Sequence, residues 1–275
     1  MTEDEELWLR CFRPAPDSGH RLLCFPHAGG SASSFLPFAR SLTPDIEVLA
    51  VQYPGRQDRR KEPCLTSIGE LADRVYRVAA PWLDASTALL GHSMGAVLAF
   101  EVVRRMERET GRTCAGLFAS GRRAPSCRRQ EEVHRRDDTG IFAELMDLGG
   151  TDPRLLQDDE LLAAFLPCLR ADYEAIETYW AEDGAAVGCP VTVMVGEDDP
   201  RTTLEEADAW RRHTTAAFEL WSFPGGHFFL DGPHRAQVVR TIANRLRGTA
   251  ARTSPTPDTP SSLGSACRNR VDPRG

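Results

Sequence analysis

Ser93 stands at the centre of Gly91-His92-Ser93-Met94-Gly95, between the apolar run Ala88-Leu89-Leu90 and a long helical pattern from Met94 to about Arg108. Strand, Gly-x-Ser-x-Gly, helix is the order of a nucleophile elbow, a tight turn that presents a serine hydroxyl at the end of a sheet. Such a hydroxyl becomes reactive when a base takes its proton and a carboxylate orients that base. The partners should follow as acid and then histidine, each just after a later strand. The run Pro190-Val191-Thr192-Val193-Met194-Val195 reads as a buried strand and leads into Gly196-Glu197-Asp198-Asp199-Pro200. The alternating run Phe218 to Phe223 leads into Pro224-Gly225-Gly226-His227. The expected set is therefore Ser93 as nucleophile, Asp199 as acid and His227 as base. Pro200 biases the residue before it towards an extended conformation. That favours Asp199, and Asp198 is the alternative.

Acyl transfer also needs two backbone N–H groups aimed at the developing oxyanion. One should belong to Met94, directly after the nucleophile, and the other to the loop after an early strand. Leu22-Leu23-Cys24-Phe25 fits that strand and runs into Pro26-His27-Ala28-Gly29-Gly30, which makes Ala28 the second candidate donor. Among the other histidines, His92 is expected to pack inside the elbow. His20, His134, His213 and His234 lie in polar or helical stretches and are expected to be solvated.

Phe25-Pro26-His27-Ala28-Gly29-Gly30, Gln52-Tyr53-Pro54-Gly55-Arg56, the Ser93 pentapeptide, Asp199-Pro200 and Gly225-Gly226-His227-Phe228 together form a set that resembles the type II thioesterases. These are free-standing α/β-hydrolases that accompany polyketide synthases and non-ribosomal peptide synthetases. The likeness covers about residues 7 to 247. The Tyr-Pro-Gly-Arg segment makes it specific, since the general hydrolase mechanism does not demand it. The resemblance implies hydrolysis of acyl thioesters on the phosphopantetheine arm of acyl or peptidyl carrier proteins, with an editing role and no cofactor of the enzyme's own. A small-molecule serine esterase or lipase would use the same trio. A carrier-binding module without activity fits poorly with an intact Ser93, Asp199 and His227, and an epoxide hydrolase would hold Asp in place of Ser93.

The chain has 275 residues, 41% of them hydrophobic, enough for one α/β domain with a lid. A net charge of −7 argues against nucleic-acid binding. No apolar run approaches bilayer length. The acidic start Met1-Thr2-Glu3-Asp4-Glu5-Glu6 is unlike a signal peptide, so a cytoplasmic protein is expected. The eight cysteines are scattered without metal-ligand spacing, so no metal is expected and reduced thiols are. Lys61 is the only lysine. The arginines bunch at Arg56, Arg59 and Arg60, at Arg122, Arg123, Arg128 and Arg129, and at Arg135 and Arg136. They suit solvated faces or, for Arg122, Arg123 and Arg128, a rim that steers an acidic carrier protein. Oligomeric state is left open, with a monomer as the working expectation.

Strands are expected at 7–13, 21–26, 46–53, 87–92, 115–120, 190–196 and 217–223, and helices at 33–42, 67–82, 94–110, 204–213 and 233–247. This alternation implies a mostly parallel sheet flanked by helices, an α/β-hydrolase core over 1–126 and 187–248. Residues 127–186 break the alternation and read as a helical lid. Its apolar stripes are Ile141 to Leu148, Leu161 to Leu169 with a break or kink at Pro167, and Tyr173, Ile176, Tyr179 and Trp180. The Thr-, Ser- and Pro-rich stretch 249–275 is expected to be a disordered tail.

Overall fold

The computed structural model describes residues 1–149 and 159–253. Its sheet has seven strands in the order β1-β3-β2-β4-β5-β6-β7: β1 (Leu9–Cys11), β2 (His20–Phe25), β3 (Ile46–Val51), β4 (Thr87–His92), β5 (Gly116–Ser120), β6 (Val191–Gly196) and β7 (Phe218–Phe223). Only β1 runs antiparallel to its neighbour, pairing Leu9 with Val51. The rest is parallel, as short apolar strands buried on both faces require.

Side chains alternate across the sheet. Leu23 and Phe25 of β2, Leu49 and Val51 of β3 and Leu89 of β4 join one core with α3 (Ile68–Ala79) and α4 (Met94–Thr110). Leu22 and Cys24, Val48 and Ala50, and Ala88 and Leu90 join the other with α2 (Leu36–Leu42) and α8 (Arg235–Thr253). The central strands are wholly buried, so their register fixes where each C-terminal loop emerges. Helix α4 ends on Gly111, whose φ of 66° is the usual left-handed stop.

Several expectations need correction. The segment from residue 7 is not strand throughout: α1 (Glu3–Trp8) precedes β1, started by a capping box between Thr2 and Glu5. The polar composition of that stretch hid the cap. Pro167 does not break its helix. Helix α6 (Asp159–Glu177) runs through it, because Phe165, Leu166, Leu169 and Tyr173 pack with Val133, Ile141 and Leu145, and this burial outweighs the hydrogen bond a proline removes. Tyr179 and Trp180 lie beyond α6. Tyr179 donates to Glu101 Oε1 at 2.8 Å, and Trp180, half exposed, faces the Arg128 guanidinium at 4.7 Å. Helix α8 reaches Thr253, five residues into the stretch expected to be tail. Residues 254–275 lie outside the described residues. Among the described residues no helix is long and apolar enough to cross a membrane.

Helix α5 (Asp138–Leu148) and α6 sit between β5 and β6, where an insertion was expected. Their shared apolar cluster reaches Ala28 on the loop after β2. The short α7 (Leu204–Asp208) follows the loop that carries Asp199.

Candidate active site

Parallel pairing sets Phe25 opposite Gly91, His92 opposite Ser120 and Gly196 opposite Phe223, so the loops after β2, β4, β6 and β7 all leave the same edge of the sheet. At the end of β4 the chain turns into α4 through Ser93, which adopts φ 55° and ψ −118°. A non-glycine residue in the positive-φ region is strained and persists only when its surroundings over-determine it. Here they do. Ser93 N–H donates to the Ser120 carbonyl at 2.7 Å, and Ser93 O accepts from Ala96 N at 3.0 Å. A Cβ on Gly95 would lie 2.6 Å from the Pro26 carbonyl oxygen and closer still to that of Phe25. A Cβ on Gly91 would overlap the carbonyl of Gly95. The glycines of the pentapeptide are thus what lets the first turn of α4 lie against the end of β2. Ser93 Oγ makes no hydrogen bond among the described residues.

His227 is 3% exposed, and its Nδ1 lies 2.9 and 3.1 Å from the two carboxylate oxygens of Asp199. That geometry puts the proton on Nδ1 and leaves Nε2 as the basic nitrogen. The Asp199 side chain is fully buried and also accepts from Arg201 N at 2.8 Å, while Glu197 and Asp198 point outward. Of the two candidate acids the structure brings Asp199 to the histidine. The acid and histidine loops are tied by backbone, with Asp198 N donating to the Gly225 carbonyl at 3.0 Å. Gly196 allows this approach, since a Cβ there would sit 3.0 Å from the Gly226 carbonyl carbon.

Ala28 N and Met94 N donate no hydrogen bond among the described residues. The loop carrying Ala28 is held at its other polar atoms. Tyr53 Oη donates to the Pro26 carbonyl at 3.1 Å, and Gln52 Oε1 accepts from Ala32 N at 2.9 Å. These contacts explain why Gln52 and Tyr53 accompany the glycine loop in sequence. Arg56 of the same segment is buried rather than solvated. It makes a bidentate pair with Asp172 of α6, both contacts at 2.9 Å. The nearby carboxylate and its hydrogen bonds outweigh burial and push the Arg56 pKa up. Sequence reasoning missed Asp172. Its signal was a carboxylate falling at helical spacing between the apolar pairs Cys168-Leu169 and Ala175-Ile176.

Three imidazoles gather around the Phe228 ring. His27, His92 and His227 have ring centroids 4.9, 5.7 and 5.1 Å from it. Desolvation, and next the repulsion that a protonated His227 would exert, pushes His27 down to about 4 and His92 well below the usual range. Both are neutral near pH 7. His92 Nδ1 meets Ser120 Oγ at 3.1 Å, so His92 packs as expected. His213 and His134 correct the solvated reading. His213 is buried between the Ala185 carbonyl and Ser126 Oγ, and His134 Nδ1 pairs with Glu177 at 2.5 Å. Beside His227 a cavity of about 350 Å³ opens between Leu148-Gly149 and the loops at Pro224–Phe229 and Gly232–His234.

The expected basic rim is also reduced. Arg123 is 5% exposed and paired with Glu131, Arg129 with Glu206, and Arg59 with Glu62 beneath the Trp8 ring. Arg122 is half-buried, and its carbonyl accepts from Trp210 Nε1 at 2.9 Å. The seven described cysteines are free. Cys64 Sγ and Cys168 Sγ lie 3.2 Å apart, and no metal-binding cluster occurs among the described residues.

A mostly parallel sheet with a serine elbow after β4, an acid loop after β6 and a histidine loop after β7 is the α/β-hydrolase fold. Within that class the thioesterase domain family matches residues 20–246, and the chain belongs to the thioesterase family. It is 51% identical over 247 residues to thioesterase PikA5 of Streptomyces venezuelae, covering 90% of this chain and 88% of that protein. Over 229 residues it is 37% identical to the gramicidin S biosynthesis protein GrsT of Aneurinibacillus migulanus, covering 82% and 89%. The solved structure of the type II thioesterase BorB from the borrelidin biosynthetic cluster superposes with a TM-score of 0.81 at 45% identity, covering 88% of this chain and 98% of that one.

Proposed function

We propose that this thioesterase clears stalled short acyl groups from the phosphopantetheine arm of acyl or peptidyl carrier proteins in polyketide or non-ribosomal peptide synthesis. Ser93 Oγ attacks the thioester carbonyl while His227 Nε2 takes its proton. Asp199 orients His227 and stabilises the imidazolium. The tetrahedral oxyanion is held by Ala28 N–H and Met94 N–H. Collapse expels the pantetheine thiolate, which receives the proton from His227. A water then attacks the acyl-serine, giving its proton to His227, and free acid leaves as Ser93 regains its hydrogen. The enzyme needs no cofactor for these steps, and the phosphopantetheine belongs to the partner.

The observation that carries this reading is the buried His227–Asp199 pair, at 2.9 Å, on the same sheet edge as the positive-φ Ser93. Relatives named for gramicidin S and borrelidin biosynthesis support the carrier-bound substrate. Residues 127–186, with α5 and α6 over the Ala28 loop, act as its lid. The test presents one short acyl group on a holo carrier protein and on a small free thiol. Preference for the carrier-bound form is expected. Equal turnover of both, with comparable activity on oxygen esters, would make the protein a general esterase.

A further inference from the structure

Asp172 is the least exposed carboxylate-bearing residue of the described lid, at 1%, and its side-chain hydrogen bonds go to Gly29, on the loop carrying Ala28, and to Arg56, which itself binds that loop. One oxygen accepts from Gly29 N at 2.7 Å and from Arg56 Nη1 at 2.9 Å; the other accepts from Arg56 Nη2 at 2.9 Å. Arg56 Nη1 also donates to the Gly30 carbonyl at 3.2 Å. With Tyr53 on the Pro26 carbonyl, the backbone on both sides of Ala28 is pinned while the Ala28 amide stays free.

Two facts argue that this is more than packing. A buried ion pair is a poor source of stability, and well-packed apolar residues replace one with little loss or even a gain. What it supplies instead is fixed geometry, because a bidentate guanidinium–carboxylate pair is rigid. Its rigid axis here joins the lid helix to the segment whose amide must meet an oxyanion within a few tenths of an ångström.

We propose that Asp172 is a positioning residue for the oxyanion hole: by holding Gly29 N–H and Arg56 together it aims Ala28 N–H, and it makes the hole complete only while α6 is seated. This rests on the assignment of Ala28 as an oxyanion donor. Seating α6 thereby completes the electrostatic half of the machinery, whereas Ser93, His227 and Asp199 stand on the loops after β4, β7 and β6 and make no hydrogen bond to α6 among the described residues.

The test is the double variant Arg56→Met/Asp172→Leu, which removes both charges, with Asp172→Asn beside it. Wild type and variants are compared for melting temperature, for kcat and KM on a short acyl thioester, and for binding of two inhibitors. One inhibitor is a trifluoromethyl ketone, whose serine adduct bears an oxyanion; the other is a thioether analogue of the substrate, which bears none. The expected result for the double variant is a retained melting temperature and kcat lowered by about 100-fold, in the range for loss of one oxyanion donor. KM and thioether affinity stay unchanged, and trifluoromethyl ketone affinity falls in parallel with kcat. Wild-type kcat in a folded double variant overturns the proposal, and so does an equal loss of affinity for both inhibitors. If the double variant does not fold, Asp172→Asn decides. Reduced kcat with selectively weakened ketone binding supports the proposal, and unchanged kcat overturns it. Failure of the underlying site would show separately, as wild-type hydrolysis by Ser93→Ala.

Discussion

Replacing Gly95 with alanine adds one methyl group to a helix, where alanine is ordinarily favoured by about 1 kcal/mol. At this position the outcome should be the reverse. The new Cβ would lie 2.6 Å from the Pro26 carbonyl oxygen and 2.7 Å from the Phe25 carbonyl carbon. Carbon and oxygen ordinarily approach no closer than about 3.3 Å. Both obstacles are backbone, so no rotamer change relieves them, and α4 must back away from the end of β2 by about 1 Å to restore a normal contact. That gap separates Met94, on α4, from Ala28, two residues beyond Pro26. Oxyanion donors act at about 2.7–3.1 Å, so a displacement of this size removes one donor and should lower kcat about 100-fold with little change in KM. Overpacking should also cost about 1–3 kcal/mol of stability, visible as a lowered melting temperature. Gly69→Ala is the control. The nearest atom to its new Cβ is Ser67 Oγ at 3.6 Å, and it should leave activity intact while stabilising α3 slightly. Thiol release from a short acyl thioester, measured where each variant is fully folded, reads out both. A Gly95→Ala enzyme within about threefold of wild type at an unchanged melting temperature would refute the argument, since kcat tracks donor geometry this steeply.

Asp199→Asn should lower kcat by about 10⁴-fold, as loss of the orienting carboxylate does, whereas Asp198→Asn should stay near wild type; the opposite ranking would transfer the role to Asp198. Because the His27 pKa is lowered to about 4 in the fold, the unfolded chain takes up that proton first on acidification, so this stability is complete above about pH 6.5 and is lost as pH falls towards 4. Melting temperature should therefore drop across that window, and less steeply in His27→Gln; equal slopes would show that His27 is not desolvated. Its hydrogen bond with Cys168 and the nearby Arg56 charge hold the Cys64 thiol below its usual range, while burial raises Cys11, Cys24 and Cys127. Limited alkylation near neutral pH followed by peptide mass mapping should find Cys64 modified first; preferential labelling of Cys11 or Cys127 would contradict that ordering.

The parts of the fold legible in the sequence are those where local pattern and tertiary environment agree. Strand β4 and helix α4 were readable to the residue because one is a continuous apolar run and the other begins at a motif and ends before glycine. The loops whose His227 and Asp199 pair in the structure were readable from Gly225-Gly226 and from Asp199-Pro200. Contacts between distant segments were hidden. Arg56 looked like one more cation in a basic cluster, because its carboxylate partner stands 116 residues away. His213 looked polar and exposed, since Ser126 and the Ala185 carbonyl that satisfy its ring come from other loops. Pro167 obeyed packing rather than propensity, which is the commoner outcome when a helix has a buried face.

The Arg56–Asp172 pair also bears on heredity. By topology the segment between β5 and β6 looks exchangeable, since it leaves and re-enters the sheet between two neighbouring strands. Yet one residue of that segment neutralises an arginine encoded far upstream. A transplant that carries no acid at this place would strand the guanidinium in a dry interior, which is far costlier than losing both charges together. The two codons are therefore expected to travel as a unit, and chimeras should be cut so that they do.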